Sequence, residues 1–290
     1  NSSINGVEES DLIILVGTNP RLEATMLNAR IRKSHVQNNT KIYSFGDAGD
    51  LTYDYETIDN TTSELNNFFE KKSDLYKNLK KSKSPIVIFG ESFMKLKSAY
   101  YILEKCKNFF NEHRHNYDND WKPINILSKN ASSVGSYDLG IVHTQDGYNP
   151  VLKKIHNNEF DIIFLFGQDN INIKKKNEFI VYIGSHGDNG ADVADLILPS
   201  PAYTEQDGHF VNLEGRLQKA FKASYPTGSS KEEWEIINCI SESLVNKNLY
   251  KNKDYLVDSM KNFLKLNASV KYKFYPNSNL VKENIFIDDI

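Results

Sequence analysis

Five short apolar runs in this chain each end in glycine, and that repeat restricts the fold more than any other feature. They are DLIILVG, ending at Gly17, KIYSFG at Gly46, PIVIFG at Gly90, FDIIFLFG at Gly167 and FIVYIG at Gly184. Each carries Ile, Val, Leu or Phe on successive positions. A strand with one wet face alternates apolar and polar residues, whereas a strand covered on both faces does not. The runs therefore predict a parallel sheet buried between layers of helices. Glycine at the carboxyl end permits a tight turn or a close approach of backbones. That edge is also where open α/β sheets bind ligands. A sixth run, ADLILP, stops at Pro199, which has no amide to continue a ladder.

Helical patterns separate the strands. Asn19 suits an N-cap and Pro20 the first helical position after it. Beyond them Leu22, Met26 and Ala29 recur at i, i+4 and i+7. This predicts the core-facing stripe, with Arg21, Glu23, Asn28 and Arg32 pointing elsewhere. Residues 61–84 and 92–113 each read as one helix, the second with Phe93, Leu96, Tyr100, Leu103 and Phe110 toward the core. Strand and helix in alternation mean an α/β fold with right-handed crossovers. HRHNYDNDWKP (113–123) reads as a polar surface insertion with His113 and His115 in solvent. From Glu205 the style changes. EQDGHFVNLEGRLQKAF reads as an irregular hairpin turning at Gly208 and Gly215, and 231–245 as an amphipathic helix capped by Ser229 or Ser230. The expected organisation is an α/β domain over 1–245, open to division into halves 1–128 and 129–245. A short helix and extended tail fill 246–290. The chain starts at Asn1 and enters a strand within a dozen residues, which suggests a domain incomplete at its N-terminus, with partners on another chain or segment.

Composition removes several functions. Hydrophobic residues at 39% and charged residues at 25% support a globular core. A net charge of -3 gives no reason to expect nucleic acid or an acidic membrane as partner. No apolar stretch reaches the ~18 residues of a membrane span. The two cysteines, Cys106 and Cys239, are too few for an iron–sulfur cluster, which usually takes four thiolates. Cys239 reads as a small buried hydrophobe. The first turn, Gly17-Thr18-Asn19-Pro20, has one glycine where a dinucleotide fingerprint needs several, and no GxxxxGK[ST] phosphate loop occurs. It reads as a structural turn. IGSHGDNGADVAD gathers His186, Asp188, Asp192 and Asp195, and suits a sharp loop better than an acid–base cluster. Lys174–Lys176 reads as a solvated turn. Glu205, Asn212, Glu214 and Arg216 fit an internal Arg–carboxylate network as well as a ligand clamp. No catalytic and no metal-ligating residue is assigned.

Taken together, DLIILVGTNPRLEATMLNARIRKS, DLTYDY (50–55), SHGDNGADVADLILPSPAYTEQDGHFVNLEGRLQKA and KEEWEII are similar in order and spacing to the large iron–sulfur subunit of respiratory complex I, the NADH:ubiquinone oxidoreductase. The similarity runs through about residues 5–245, and NLVKENIFIDDI resembles that family's C-terminal segment. It covers the later, molybdopterin-oxidoreductase-like part of the subunit. The resemblance implies a Rossmann-like sheet and a non-catalytic structural role in the peripheral arm. It implies no cofactor in this chain, with iron–sulfur clusters and FMN on partner subunits. Its implied partners are a cluster-bearing N-terminal counterpart, expected as a separate chain, and other peripheral-arm subunits. Its implied location is the matrix side of the mitochondrial inner membrane, or the cytoplasmic side of a bacterial one. The AT-rich residue bias, with lysine far outnumbering arginine, leans toward the first. In the wider superfamily the matching turns hold a guanosine part of a molybdopterin cofactor, which nominates Gly17, Asn19 and Asp188 as vestigial nucleotide-site residues. The alternative is a fragment of an active molybdopterin-dependent oxidoreductase such as formate dehydrogenase.

Overall fold

A computed structural model describes residues 3–70, 73–118, 120–141, 150–170 and 172–267. Within these, one compact unit holds the chain up to Val134 together with Val211–Arg216. A second holds Gly135–Phe210 and the chain from Leu217 onward.

The first unit contains β1 (Leu12–Val16), α1 (Pro20–Glu23), α2 (Thr25–Asn38), β2 (Lys41–Phe45), β3 (Glu56–Asp59), α3 (Thr62–Glu70), α4 (Asp74–Lys81), β4 (Pro85–Gly90), α5 (Glu91–Met94), α6 (Ala99–Glu112) and β5 (Ile124–Leu127). The five strands pair in parallel, in the order β3-β2-β1-β4-β5. β1 is central and wholly buried. Its Leu12, Ile14 and Val16 pack with Phe45, Phe89 and the helices of one face. Ile13 and Leu15 pack with Ile42, Ile86, Ile88, Leu27 and Ile31 on the other. This is the two-sided burial expected of the unbroken apolar runs. β3 and β5, which the sequence pattern does not mark, are four-residue edge strands with mostly exposed or half-buried side chains.

The helices depart from expectation in instructive ways. Asn19 does cap α1, its side chain accepting the Leu22 amide, with Pro20 at the first position. The stripe of Leu22, Met26 and Ala29, however, faces solvent, Leu22 being 79% and Met26 67% exposed. The buried face is Leu27, Asn28, Ile31 and Ser34. Asn28 is tolerated there because both ends of its amide are matched. Nδ2 donates to the Leu51 carbonyl at 3.1 Å, and Oδ1 accepts the Tyr53 hydroxyl at 2.8 Å. Asn28→Ala strands both partners, so equilibrium urea unfolding should show a loss of about 2 kcal/mol, against under about 1 kcal/mol for a helix-surface change such as Gln37→Ala.

The 61–84 segment is two helices, because Ser73 caps a new start by accepting the Tyr76 amide. The 92–113 segment breaks after Met94 and restarts at Ala99. The break resets the register. Ile102, Cys106 and Phe109 join Phe93, Leu103 and Phe110 in the core, and Tyr100 is only half-buried. His113, Tyr117 and Trp121 of the 113–123 stretch close the core, while His115, Asp118, Asp120 and Lys122 are exposed. His113 is buried and stacks on Phe109 at 4.5 Å, while Tyr117 meets Phe110 edge-on. Trp121 Nε1 donates to the Pro85 carbonyl at 2.8 Å.

α7 (Ser133–Asp138) spans the boundary between the units. The second unit then has α8 (Pro150–His156), β6 (Ile162–Phe166), β7 (Phe179–Gly184), α9 (Asn189–Asp192), β8 (Leu196–Pro199), β9 (Gly208–Val211, its last residue assigned to the first unit), β10 (Leu217–Ala220), α10 (Glu233–Val245) and α11 (Lys253–Asn267). β6, β7 and β8 form a parallel sheet in that order, and β9 and β10 form the expected hairpin. Ile163, Leu165, Ile180 and Tyr182 pack with Ile155 of α8 on one face, whereas Val181 and Ile183 pack with Ile236 of α10 on the other. That helix does not cover β6. Ile162, Phe164 and Phe166 are 44–55% exposed, so this run is buried on one face and not on both. α10 is capped by Glu232 in a capping box with Glu235, not by Ser229 or Ser230. Cys239 is exposed, whereas Cys106 is the buried cysteine. The expected tail, from residue 268 onward, lies outside the described residues.

Candidate functional site

The crevice of the first sheet follows from its strand order. The chain moves from β1 to β2 on one side and returns at β4 on the other, so the carboxyl ends of β1 and β4 flank the topological switch point. Gly17 sits there with φ +56°, a conformation that favours glycine. Gly90 has ordinary dihedrals but no room for a side chain, since a Cβ would lie 2.1 Å from the Gly17 carbonyl oxygen and 2.9 Å from Thr18 Cβ. Ser92 Oγ adds a hydrogen bond to the same carbonyl at 2.6 Å. The two strand ends thus meet at the mouth of the crevice.

The polar groups around this mouth are engaged with one another. Asn19 Oδ1 accepts the Leu22 amide at 3.1 Å, and Thr18 donates to Glu23 at 2.8 Å. Arg21 pairs with the Asp50 carboxylate and donates to the Asp50 carbonyl at 3.0 Å. The Thr52 amide and then Arg21 hold the Asp50 carboxyl below its ordinary range. Asp47 Oδ1 accepts the Gly49 amide at 2.8 Å. α1 is only four residues long, too short to present the aligned amides that bind phosphate at a longer helix. A dinucleotide's pyrophosphate needs free donors and positive potential, whereas this edge offers Glu23, Asp47 and Asp50 and one arginine already paired. The residues present do not fit the phosphate and guanosine portion of a molybdopterin cofactor.

Asp188, the third nominated residue, belongs to the second unit, whereas Gly17 and Asn19 belong to the first. It precedes α9 and caps it with no side-chain bond. Its amide donates to Asp169 Oδ1 at 3.2 Å, and the Gly190 amide to the same oxygen at 3.3 Å. Tyr182 donates its single hydroxyl proton to Asp169 Oδ2 at 2.8 Å, with the His186 carbonyl in contact with the same hydroxyl. Burial first, then the Asp169 carboxylate, push the Tyr182 hydroxyl up to about 12, so it remains a donor at physiological pH. Asp169 and Tyr182 organise this loop. The sequence signal for Asp169 was its place just after Gly167 at the end of β6. A Cβ on Gly190 would lie 2.4 Å from the Gln168 carbonyl, so backbone closes this edge too.

Asp195 has a structural task. Its Oδ2 accepts the Ile180 amide at 2.9 Å and Oδ1 accepts Lys175 Nζ at 2.5 Å. Lys176 Nζ donates to the His156 carbonyl at 2.9 Å. Lys174, Lys175 and Lys176 are all exposed, as a solvated turn requires, and the amines of the last two also hold neighbouring acceptors. Lys175, then the Ile180 amide, depress the Asp195 carboxyl below its ordinary 3.8. A carboxylate depressed on folding stabilises above its unfolded value and loses that contribution as pH falls through the folded one. Wild type should therefore exceed Asp195→Asn in urea stability at neutral pH, with the gap narrowing as pH falls below the ordinary 3.8. A gap unchanged by acid would refute the assignment.

Glu205, Asn212, Glu214 and Arg216 form no Arg–carboxylate network among the described residues. Asn212 Oδ1 instead accepts the amides of Glu214 and Arg216 at 3.0 and 2.9 Å, folding the turn. Glu214 accepts the Ile4 amide at 2.7 Å, and Glu205 the Ala202 amide at 3.0 Å. Two concavities of the first unit lie elsewhere. One of about 40 Å³ adjoins Ile86, Ile88 and Leu213. The other, about 460 Å³, is ringed by Lys77, Lys80, Lys81, Lys83, His115 and Asn116. Neither includes Gly17 or Asn19. Among the described residues, no cluster of His, Cys, Asp and Glu is arranged to hold a metal ion.

A parallel sheet with a 3-2-1-4-5 strand order, glycines at the strand ends and a second parallel sheet behind it in sequence define the class. The chain belongs to the molybdopterin oxidoreductase family, whose model matches residues 1–243. Within that class it is similar to the NADH-ubiquinone oxidoreductase 75 kDa subunit of Reclinomonas americana, with 40% identity over 287 residues, covering 97% of this chain and 41% of that protein. It is also similar to the mitochondrial NADH-ubiquinone oxidoreductase 78 kDa subunit of Candida albicans, with 37% identity over 84% of this chain and 33% of that protein. A bacterial relative, an NADH-quinone oxidoreductase subunit of Rickettsia bellii, is 33% identical over 99% of this chain and 40% of its own length. The chain thus spans less than half the length of each of these relatives.

Proposed function

We propose that this chain is a non-catalytic structural part of the peripheral arm of respiratory complex I. It supports the cluster-bearing polypeptide while electrons pass from NADH to ubiquinone through flavin and iron–sulfur clusters held by neighbours. The observation that carries this reading is its similarity, along nearly its whole length, to subunits named for NADH-ubiquinone oxidoreductase. The engagement of Thr18, Asn19 and Arg21 with their own neighbours supports the absence of a cofactor in this chain. Its partners in this reading are the N-terminal, cluster-bearing counterpart of the same subunit, as a separate polypeptide, and other peripheral-arm subunits. Its place is the matrix side of the mitochondrial inner membrane, held peripherally. No described helix is long and apolar enough to cross a membrane.

The family match also favours a second reading, a fragment of an active molybdopterin-dependent oxidoreductase. Native purification through a tag on this chain separates the two. The proposal expects complex I subunits by mass spectrometry and iron without molybdenum by metal analysis. Molybdenum with a pterin, or a chain that purifies without such subunits, would overturn it.

A further inference from the structure

The wide concavity of the first unit gathers cations from separate parts of the chain. Lys77, Lys80 and Lys81 come from the C-terminal half of α4, Lys83 from the link into β4, and His115 and Asn116 from the stretch after α6. The helix dipole favours lysine in the last turn of α4, but Lys83 and His115 lie outside that helix. Their place is fixed by tertiary structure. His113 and Tyr117, on either side of His115 and Asn116, are buried. Asn116 Nδ2 donates at 3.0 Å to the Lys80 carbonyl, one of those that a helix end leaves without an internal partner. The Asp11 carboxylate accepts the Lys83 backbone amide at 2.7 Å, together with the Ser82 hydroxyl and the Ser84 amide, and so holds the link. Among the described residues Lys80, Lys81 and Lys83 make no ion pair, and Lys77 pairs with Asp74 at 2.8 Å. No described carboxylate lines the concavity.

Four ammonium groups drawn together repel one another unless an anion lies among them. We infer that this concavity binds a ligand through a phosphate group that carries more than one negative charge. The inference does not depend on the complex I reading. Lysine is a compact point charge without the planar fork of arginine, so the ring selects for charge over the flat shape of a carboxylate. The lining holds no aromatic or branched aliphatic side chain to grip a nucleobase or the apolar residues of a peptide. Its volume of about 460 Å³ is that of a small-ligand site.

The test uses the native preparation obtained through the tagged chain, with inorganic pyrophosphate as the probe. An N-hydroxysuccinimide ester labels exposed amines, and mass spectrometry reads each lysine separately. At about ten times its half-protecting concentration, pyrophosphate should slow labelling of Lys77, Lys80, Lys81 and Lys83 about tenfold relative to potassium chloride of equal ionic strength. Exposed Lys129 and Lys247 should keep their rates. In a variant carrying Lys80→Gln, Lys81→Gln and Lys83→Gln, all exposed positions, Lys77 should lose its protection. Vesicles of phosphatidylcholine containing phosphatidic acid identify the source of the phosphate. Protection by these vesicles as well assigns it to a lipid headgroup, and protection by pyrophosphate alone assigns it to a soluble ligand. No slowing by pyrophosphate, equal slowing of Lys129 and Lys247, or protection of Lys77 that survives in the variant overturns the inference. So does protection by a glutamate peptide but not by pyrophosphate. Failure of the four lysines to label without any ligand also overturns it, since a neighbouring protein then covers the concavity.

Discussion

Replacing Phe109 by alanine should lower the free energy of unfolding by about 3–5 kcal/mol, the cost of deleting a fully packed aromatic ring. Phe109 is only 4% exposed. It joins α3, α4 and α6 to the 113–123 segment through Phe69 at 6.1 Å, Tyr76 at 5.3 Å, Phe110 at 5.3 Å and His113 at 4.5 Å. Those contacts cannot close over an alanine, because their backbones belong to separate elements. Part of the cost is specific to ring geometry, at about 0.5–1.5 kcal/mol per aromatic pair. Phe109→Leu, which restores volume without the ring faces, should therefore recover more than half of the loss but not all. Urea unfolding of both variants, followed by near-ultraviolet circular dichroism, reads the difference. Equal stability of the leucine variant and wild type would mean that volume alone matters at this site.

The second large effect is expected at Gly90. Gly90→Ala should cost about 3 kcal/mol, the upper range for overpacking, although its dihedrals suit any residue. The obstacle is the Gly17 carbonyl, which a Cβ would approach to 2.1 Å. Both sides are backbone at the ends of central strands, so neither yields like the tip of a side chain. Because this contact closes the crevice mouth, the substitution also tests function. A cost under about 1 kcal/mol would mean that the Gly17–Thr18 turn moves aside easily. The crevice would then be able to open, and a bound nucleotide would regain its case.

The central strands were legible because five unbroken apolar runs leave few alternatives, and the glycines that end them serve as foreseen. Gly17, Gly46 and Gly167 adopt positive φ, and Gly90 and Gly184 stand where a Cβ would strike a neighbour. The edge strands β3 and β5 were not legible, since these four-residue strands are mostly exposed or half-buried and ETID and INIL mix polar with apolar residues, whereas β6, also an edge strand, keeps an unbroken apolar run although one of its faces is uncovered. Periodicity on α2 misled, because two faces of the helix are apolar and the wrong one was chosen as the core. A buried Asn28 is the opposite of what a helical wheel predicts, and only the Leu51 carbonyl and the Tyr53 hydroxyl explain it. At the candidate site, Gly17 and Asn19 were placed by their position after β1. Their engagement with Gly90, Ser92 and the Leu22 amide depends on partners distant in the chain or on turn geometry that a sequence does not display. Asp169 escaped notice for the same reason, since its donors come from the Tyr182 hydroxyl on β7 and from the amides of Asp188 and Gly190 in the loop beyond it.

The uncovered flank of β6 bears on how the protein is kept in a cell. Ile162, Phe164 and Phe166 form an apolar row along an edge strand of the second sheet, with ladder groups unpaired on its outer side among the described residues. Edges of this kind recruit other strands unless something shields them. A newly made copy without such a shield is adhesive and is a natural client for chaperones and proteases. Copies made in excess of whatever covers that strand are therefore expected to be lost to aggregation or proteolysis.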